Sequence, residues 1–116
     1  MTAEDWSVAT IECGPLAIRS SRQGDEHVVA LEGALDLGGV EAVQNLMRRV
    51  EQSDAGRIIV DLSALQFMDS SGLRAMLGID ARSRANGNRV VFLRGGPAVQ
   101  RLFEITDTES RLPFLD

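Results

Sequence analysis

Ile58-Ile59-Val60-Asp61-Leu62-Ser63-Ala64-Leu65-Gln66-Phe67-Met68-Asp69-Ser70-Ser71-Gly72-Leu73 changes its apolar period within sixteen residues. Ile58 to Leu62 is almost wholly apolar, the pattern of a short strand covered on both faces. Leu65, Phe67 and Met68 lie behind it, and from Leu73 the spacing becomes helical. Leu73, Met76, Leu77 and Ala81 predict the buried stripe of a helix over roughly 71–86, with Arg74, Arg82 and Arg84 left for solvent or a partner. Asp69-Ser70-Ser71-Gly72 therefore brings a carboxylate and two hydroxyls to the junction of a strand and a helix. Three roles are open to such a turn. Its side chains can cap the helix, its N–H groups can cradle an anion, and its hydroxyls can accept a modification.

Outward from this stretch the chain alternates strands and helices. Leu16 and Ile18, then Val28 to Leu31, read as a hairpin around the polar Arg22-Gln23-Gly24-Asp25-Glu26, closed at Glu32 and Gly33. Val40, Val43, Leu46, Met47 and Val50 form the stripe of an amphipathic helix over about 39–52, with Asp36 as a cap and Gly38-Gly39 as a break before it. Asn86-Gly87-Asn88 stops the second helix, and Val90 to Leu93 is the next buried strand. Pro97 suits the first position of a third helix, whose apolar face is Val99, Leu102 and Phe103. Leu112, Phe114 and Leu115 end the chain as a last strand or an extended segment. Trp6, Val8 and Ile11 belong to a loose strand or an arm, so residues 1–15 are treated as an N-terminal extension and 16–116 as the domain. The fold class is α/β, a mixed and mostly parallel sheet of about four to five strands with helices mainly on one face.

Composition narrows the function. A chain of 116 residues with 44% hydrophobic and 4% aromatic content suits one domain with an aliphatic core. Twelve basic against seventeen acidic residues leave a charge of -5, which argues against direct nucleic-acid binding. A single cysteine, Cys13, and a single histidine, His27, exclude an internal disulfide and a multi-Cys/His metal site. No cofactor or metal is expected. No apolar run is long enough to insert in a membrane, and the acidic start is unlike a signal peptide, so the expected location is cytoplasmic.

Most other sites have plain readings. Serine hydrolysis needs a base oriented by a third group, and His27 lies far along the chain in the hairpin. His27 itself reads as a half-exposed residue at a strand start, and Cys13 as inert. Arg94-Gly95-Gly96-Pro97 lacks the rest of a phosphate loop and reads as a strand-to-helix turn. Asp61 and Asp69 both stand at natural cap positions. Gly33-Ala34-Leu35-Asp36, however, follows a strand and precedes a helix, as the serine turn does. Regular crossovers would put both loops on one edge, giving a continuous face of Asp36, Gly38, Asp69, Ser70, Ser71 and Arg74, with Gly72 in the turn.

Val60-Asp-Leu-Ser-x-Leu-x-Phe-Met-Asp-Ser-Ser-Gly-Leu73 closely resembles the signature of the STAS domain, specifically of bacterial anti-sigma factor antagonists. Leu31-Glu-Gly-x-Leu-Asp36 and Pro97-x-Val-x-Arg-Leu-Phe103 match further landmarks, so the resemblance covers residues 16 to about 105. It implies a STAS-like fold and a non-enzymatic, partner-switching role. The unphosphorylated protein would bind an anti-sigma factor that is also a serine kinase, and so free the sigma factor. The kinase would phosphorylate Ser71, with Ser70 as the second choice, and a metal-dependent serine phosphatase would reverse it. Asp36, Gly38, Asp69, Ser70, Ser71, Gly72 and Arg74 would meet the partner. The alternative is a STAS subunit of another signalling complex or of a lipid or anion transport system. A homodimer that hides the same surface is compatible with either. Ala34, where an acid is common, and Arg74, where a small residue is common, depart from the family pattern. Many relatives also continue into a final helix beyond the position of Leu115. Either that helix is missing or residues 1–15, with Trp6, cover its place.

Overall fold

The computed structural model of the chain describes residues 8–115. Strands β1 (Val8–Cys13), β2 (Leu16–Gln23) and β3 (Glu26–Leu35) form an antiparallel meander. Strands β4 (Arg57–Met68), β5 (Val90–Leu93) and β6 (Phe114–Leu115) then add in parallel, each after a helical crossover. Those crossovers are helix α1 (Leu37–Glu51), helix α2 (Ser70–Ala85), and helix α3 (Pro97–Ile105) followed by a 3₁₀ turn (Glu109–Arg111). The sheet order repeats the chain order from β1 to β6. Six described strands replace the expected four to five because both end segments pair: β1 with β2, and β6 with β5. Trp6 lies outside the described residues.

Alternation along the strands builds the core. Ile18 stands opposite Leu31, Val29 opposite Val60, and Val60 opposite Phe92, so one face of the sheet is apolar across its width. The helices pack on that face through Val43, Leu46, Met47 and Val50 of α1, Leu73, Met76 and Ile79 of α2, and Val99 and Phe103 of α3. Fully burying each such side chain contributes about 1.5–3 kcal/mol. Phe114 of β6 closes the far side, edge-on to Phe103 at 5.3 Å between ring centroids.

Three elements differ from the sequence reading. Strand β4 runs to Met68 instead of stopping at Leu62, and β3 to Leu35 instead of Gly33. Their pairing continues through irregularities between Ala30 and Glu32 and between Gly33 and Ala34, which break the two-residue period. Gly33 adopts φ +90°, and a Cβ there would lie 2.2 Å from the carbonyl oxygen of Pro15. That oxygen instead accepts from Ala34 N at 3.1 Å. Helix α2 buries Ile79, Asp80 and Ser83, whereas Ala81 is exposed and Leu77 half-buried. Polar residues on the buried face disguised the stripe: Asp80 pairs with Arg84 at 2.8 Å, and Ser83 Oγ accepts from Val90 N at 2.9 Å. His27 is also buried, not half-exposed, with its Nε2 2.6 Å from Ser20 Oγ.

Two arginines knit the end of the sheet where β4 and β5 begin. Arg82 donates to both carboxylate oxygens of Glu51, at 3.1 and 3.0 Å, and so ties α2 to α1. Arg89 donates to the carbonyls of Glu51, Ser53 and Ala55, closing the C-terminal end of α1.

Candidate functional site

At the opposite end, Leu35 and Met68 are register partners, so the turns that follow β3 and β4 lie side by side. Each begins a helix with an aspartate cap. Asp36 Oδ1 accepts from Gly38 N at 3.0 Å at the start of α1. Asp69 Oδ1 accepts from Ser71 N at 3.0 Å and Gly72 N at 3.1 Å at the start of α2. Asp69 N donates to Leu35 O at 3.2 Å and joins the two turns. The face that regular crossovers predicted is therefore built, with Asp36 and Asp69 adjacent.

Asp69 also holds the acceptor candidate. Its Oδ1 receives the hydroxyl of Ser71 at 2.5 Å, a length typical of a charge-assisted O–H···O⁻ bond. That hydroxyl, then the N–H of Gly72, keeps the Asp69 carboxyl below the ordinary carboxylate range. Ser70 is exposed, and none of these bonds to Asp69 involves its side chain. Ser71 is half-buried, Gly38 and Arg74 are exposed, and Gly72 is buried. A Cβ on Gly72 would come within 2.5 Å of Met68 Cγ and 3.0 Å of Leu35 Cγ. Gly72 thus acts by letting α2 approach the strand ends, beneath the surface that the other residues form.

The turn is a poor anion cradle as it stands. The N–H groups of Ser71 and Gly72, which a phosphate was expected to meet, are already taken by Asp69. An anion must displace that carboxylate or find its partner elsewhere.

Two apolar neighbours escaped the sequence reading. Leu37 follows Asp36 and is 74% exposed; Phe67 precedes Met68 and Asp69 and is 51% exposed. Bulky side chains left in water beside two capped turns give the face apolar as well as polar contacts. Their signal was available only in part: Leu37 falls outside the stripe that starts at Val40, whereas Phe67 is two residues from buried Leu65 and is turned outward only by the irregular pairing with β3.

The remaining candidates resolve plainly. Asp61 Oδ1 accepts from Ser63 N at 2.9 Å, a local turn contact. Cys13 Sγ donates to Gly38 O at 3.4 Å. Gly95 N donates to Gln100 Oε1 at 2.8 Å, and the segment leads directly into α3. Among the described residues no group of three His, Cys, Asp or Glu could hold a metal ion, and no helix is long and apolar enough to cross a membrane.

A family profile described as the STAS domain matches residues 17–115. An anti-sigma F factor antagonist of Lysinibacillus sphaericus is 31% identical over 80 residues, 68% of each chain. An anti-sigma factor antagonist of Mycobacterium paratuberculosis superposes with a TM-score of 0.72 at 22% identity, over 98% of this chain and 89% of that one. SpoIIAA, an anti-sigma factor antagonist, is similar in two solved forms. The unphosphorylated form gives a TM-score of 0.70 at 26% identity, over 85% of this chain and 86% of that one. The phosphorylated form, from Bacillus, gives 0.66 at 25%, over 85% and 89%.

Proposed function

The chain belongs to the STAS domain family, and from that membership we propose that it is an anti-sigma factor antagonist switched by phosphorylation of Ser71. In the unmodified state the face around Asp36, Gly38, Leu37, Phe67, Asp69, Ser70, Ser71 and Arg74 docks on an anti-sigma factor that is itself a serine kinase. Docking withdraws that factor from its sigma factor. Transfer of the γ-phosphoryl group of ATP to Ser71 Oγ releases ADP and the hydroxyl proton, and ends the complex. A metal-dependent serine phosphatase hydrolyses the ester and returns the protein to its binding state.

The observation that carries this reading is the short Ser71–Asp69 hydrogen bond on a face flanked by exposed Leu37 and Phe67. The bond positions one of two adjacent hydroxyls, and it makes that position sensitive to added charge. A phosphate there adds a charge of about -1.5 to -2 within contact of Asp69. Apolar partner groups would be desolvated against it and acidic ones repelled. A loss of ~3–4 kcal/mol corresponds to a several-hundredfold weaker complex. The similarity to SpoIIAA in both unphosphorylated and phosphorylated forms supports a modification that leaves the fold in place.

Incubation with candidate anti-sigma kinases and ATP, followed by mass spectrometry of the tryptic peptides, tests the assignment. Ser71→Ala should abolish phosphorylation while retaining kinase binding. Modification on Ser70, or on neither serine with every kinase that binds the protein, would defeat the reading.

A further inference from the structure

We propose that Arg74 is the counter-ion of the phosphate on Ser71, holding it on the outer surface of α2 and away from the helix N-terminus. This rests on Ser71 as the phosphate acceptor and concerns how the modified state is held.

The first argument is exclusion. A phosphate at the start of a helix ordinarily takes the free N–H groups of the first turn. Here Asp69 Oδ1 already accepts from Ser71 N and Gly72 N, and it holds the Ser71 hydroxyl as well. The dianion would meet a carboxylate in the place where its cradle should be. The neighbouring turn adds a second cap carboxylate, Asp36, and its Leu37 N–H already faces Asp69. Both titratable groups facing the acceptor from the adjoining turns are therefore acidic.

The second argument is reach. Residues three apart on a helix share a face, with Cβ atoms about 5–6 Å apart, which places Arg74 beside Ser71. Long side chains on a helix lean toward its N-terminus, which puts the turn that carries Ser71 within reach of the Arg74 guanidinium. Arg74 is exposed and forms no ion pair among the described residues. The other arginines of α2 are engaged, Arg82 with Glu51 and Arg84 with Asp80. A planar guanidinium matches a phosphate in bidentate fashion, which an ammonium does not. All twelve basic residues of this chain are arginine.

The test uses the full chain with phosphoserine installed at position 71 during synthesis, so no kinase is needed. The second ionisation of that phosphate is followed by ³¹P NMR from pH 4 to 9, in the parent, Arg74→Ala, Arg74→Lys and Arg48→Ala. Arg48 lies in the last turn of α1 and reports only the general field. Loss of Arg74 should raise the titration midpoint by roughly 0.5 pH unit. Arg74→Lys should give a smaller rise and Arg48→Ala none, and the Arg74→Ala difference should shrink in molar salt. An unchanged midpoint in Arg74→Ala, or an equal rise in Arg48→Ala, overturns the assignment. A kinase that leaves Ser71 unmodified would defeat the switch reading instead, and the midpoint measured on installed phosphoserine would still stand.

Discussion

Asp69 serves three donors with one oxygen: two backbone N–H groups of its helix and the hydroxyl of Ser71. Capping the helix and positioning the hydroxyl are thus one arrangement. His27 shows the opposite economy. Its Nε2 meets Ser20 Oγ, while its Nδ1 is buried without a hydrogen-bond partner. Burial first, and the nearby charge of Arg22 second, hold its pKa below the ordinary histidine value of 6.5. Below about pH 6.5 the unfolded chain takes up a proton that the folded protein declines, so stability falls with acidification until the lowered folded value is passed. His27→Gln, which keeps a group able to bond Ser20, should flatten the stability profile between pH 5 and 7.5 in urea unfolding. Equal acid loss in both proteins would remove His27 from the account.

At the level of elements, closeness of approach decides more than helix or strand preference. Helix α2 can start against β3 and β4 only because position 72 has no side chain. Gly72→Ala would drive a methyl into Met68 and Leu35 and should cost about 1–3 kcal/mol in chemical unfolding, with partial recovery in Gly72→Ala/Met68→Ala. Arg89 has a comparable role at the far end. Arg89→Ala removes donors to three carbonyls at and just beyond the end of α1 and should cost roughly 1.5–3 kcal/mol; a change below a few tenths would mean that water replaces it fully. Periodicity located α1, β5 and the start of α3 because their apolar residues stay in phase. It failed for the second half of β4, where bulges break the alternation and leave Ser63, Ala64, Gln66 and Phe67 outside. It misplaced Ala81 because Asp80 and Ser83 are buried with partners that lie elsewhere in the chain or one turn on.

For the whole molecule, the serine turn sits at a sheet end, far in the fold from the arginine-laced end at Arg82 and Arg89. Ser71→Glu should therefore leave the unfolding midpoint within a few degrees of the parent while weakening kinase binding by a large factor, read by calorimetry and titration on the same samples. A Ser71→Glu protein that unfolds instead would place the switch in folding. Leu37→Ser and Phe67→Ser should weaken the same complex without lowering stability, since neither side chain is in the core. Local chemistry in the chain was enough for the α/β class, the hairpin, the cap residues and the pair of serines, because turns, caps and amphipathic stripes depend on neighbours a few residues apart. In the sequence, the choice of Ser71 over Ser70 rests on family resemblance alone. The tertiary structure added what depends on segments distant in sequence: β3 and β4 ending in register, Asp36 beside Asp69, Leu37 and Phe67 left in water, and the helix N–H groups already occupied. Those facts follow from how the sheet pairs and how closely α2 can approach it, and no spacing within one segment encodes either.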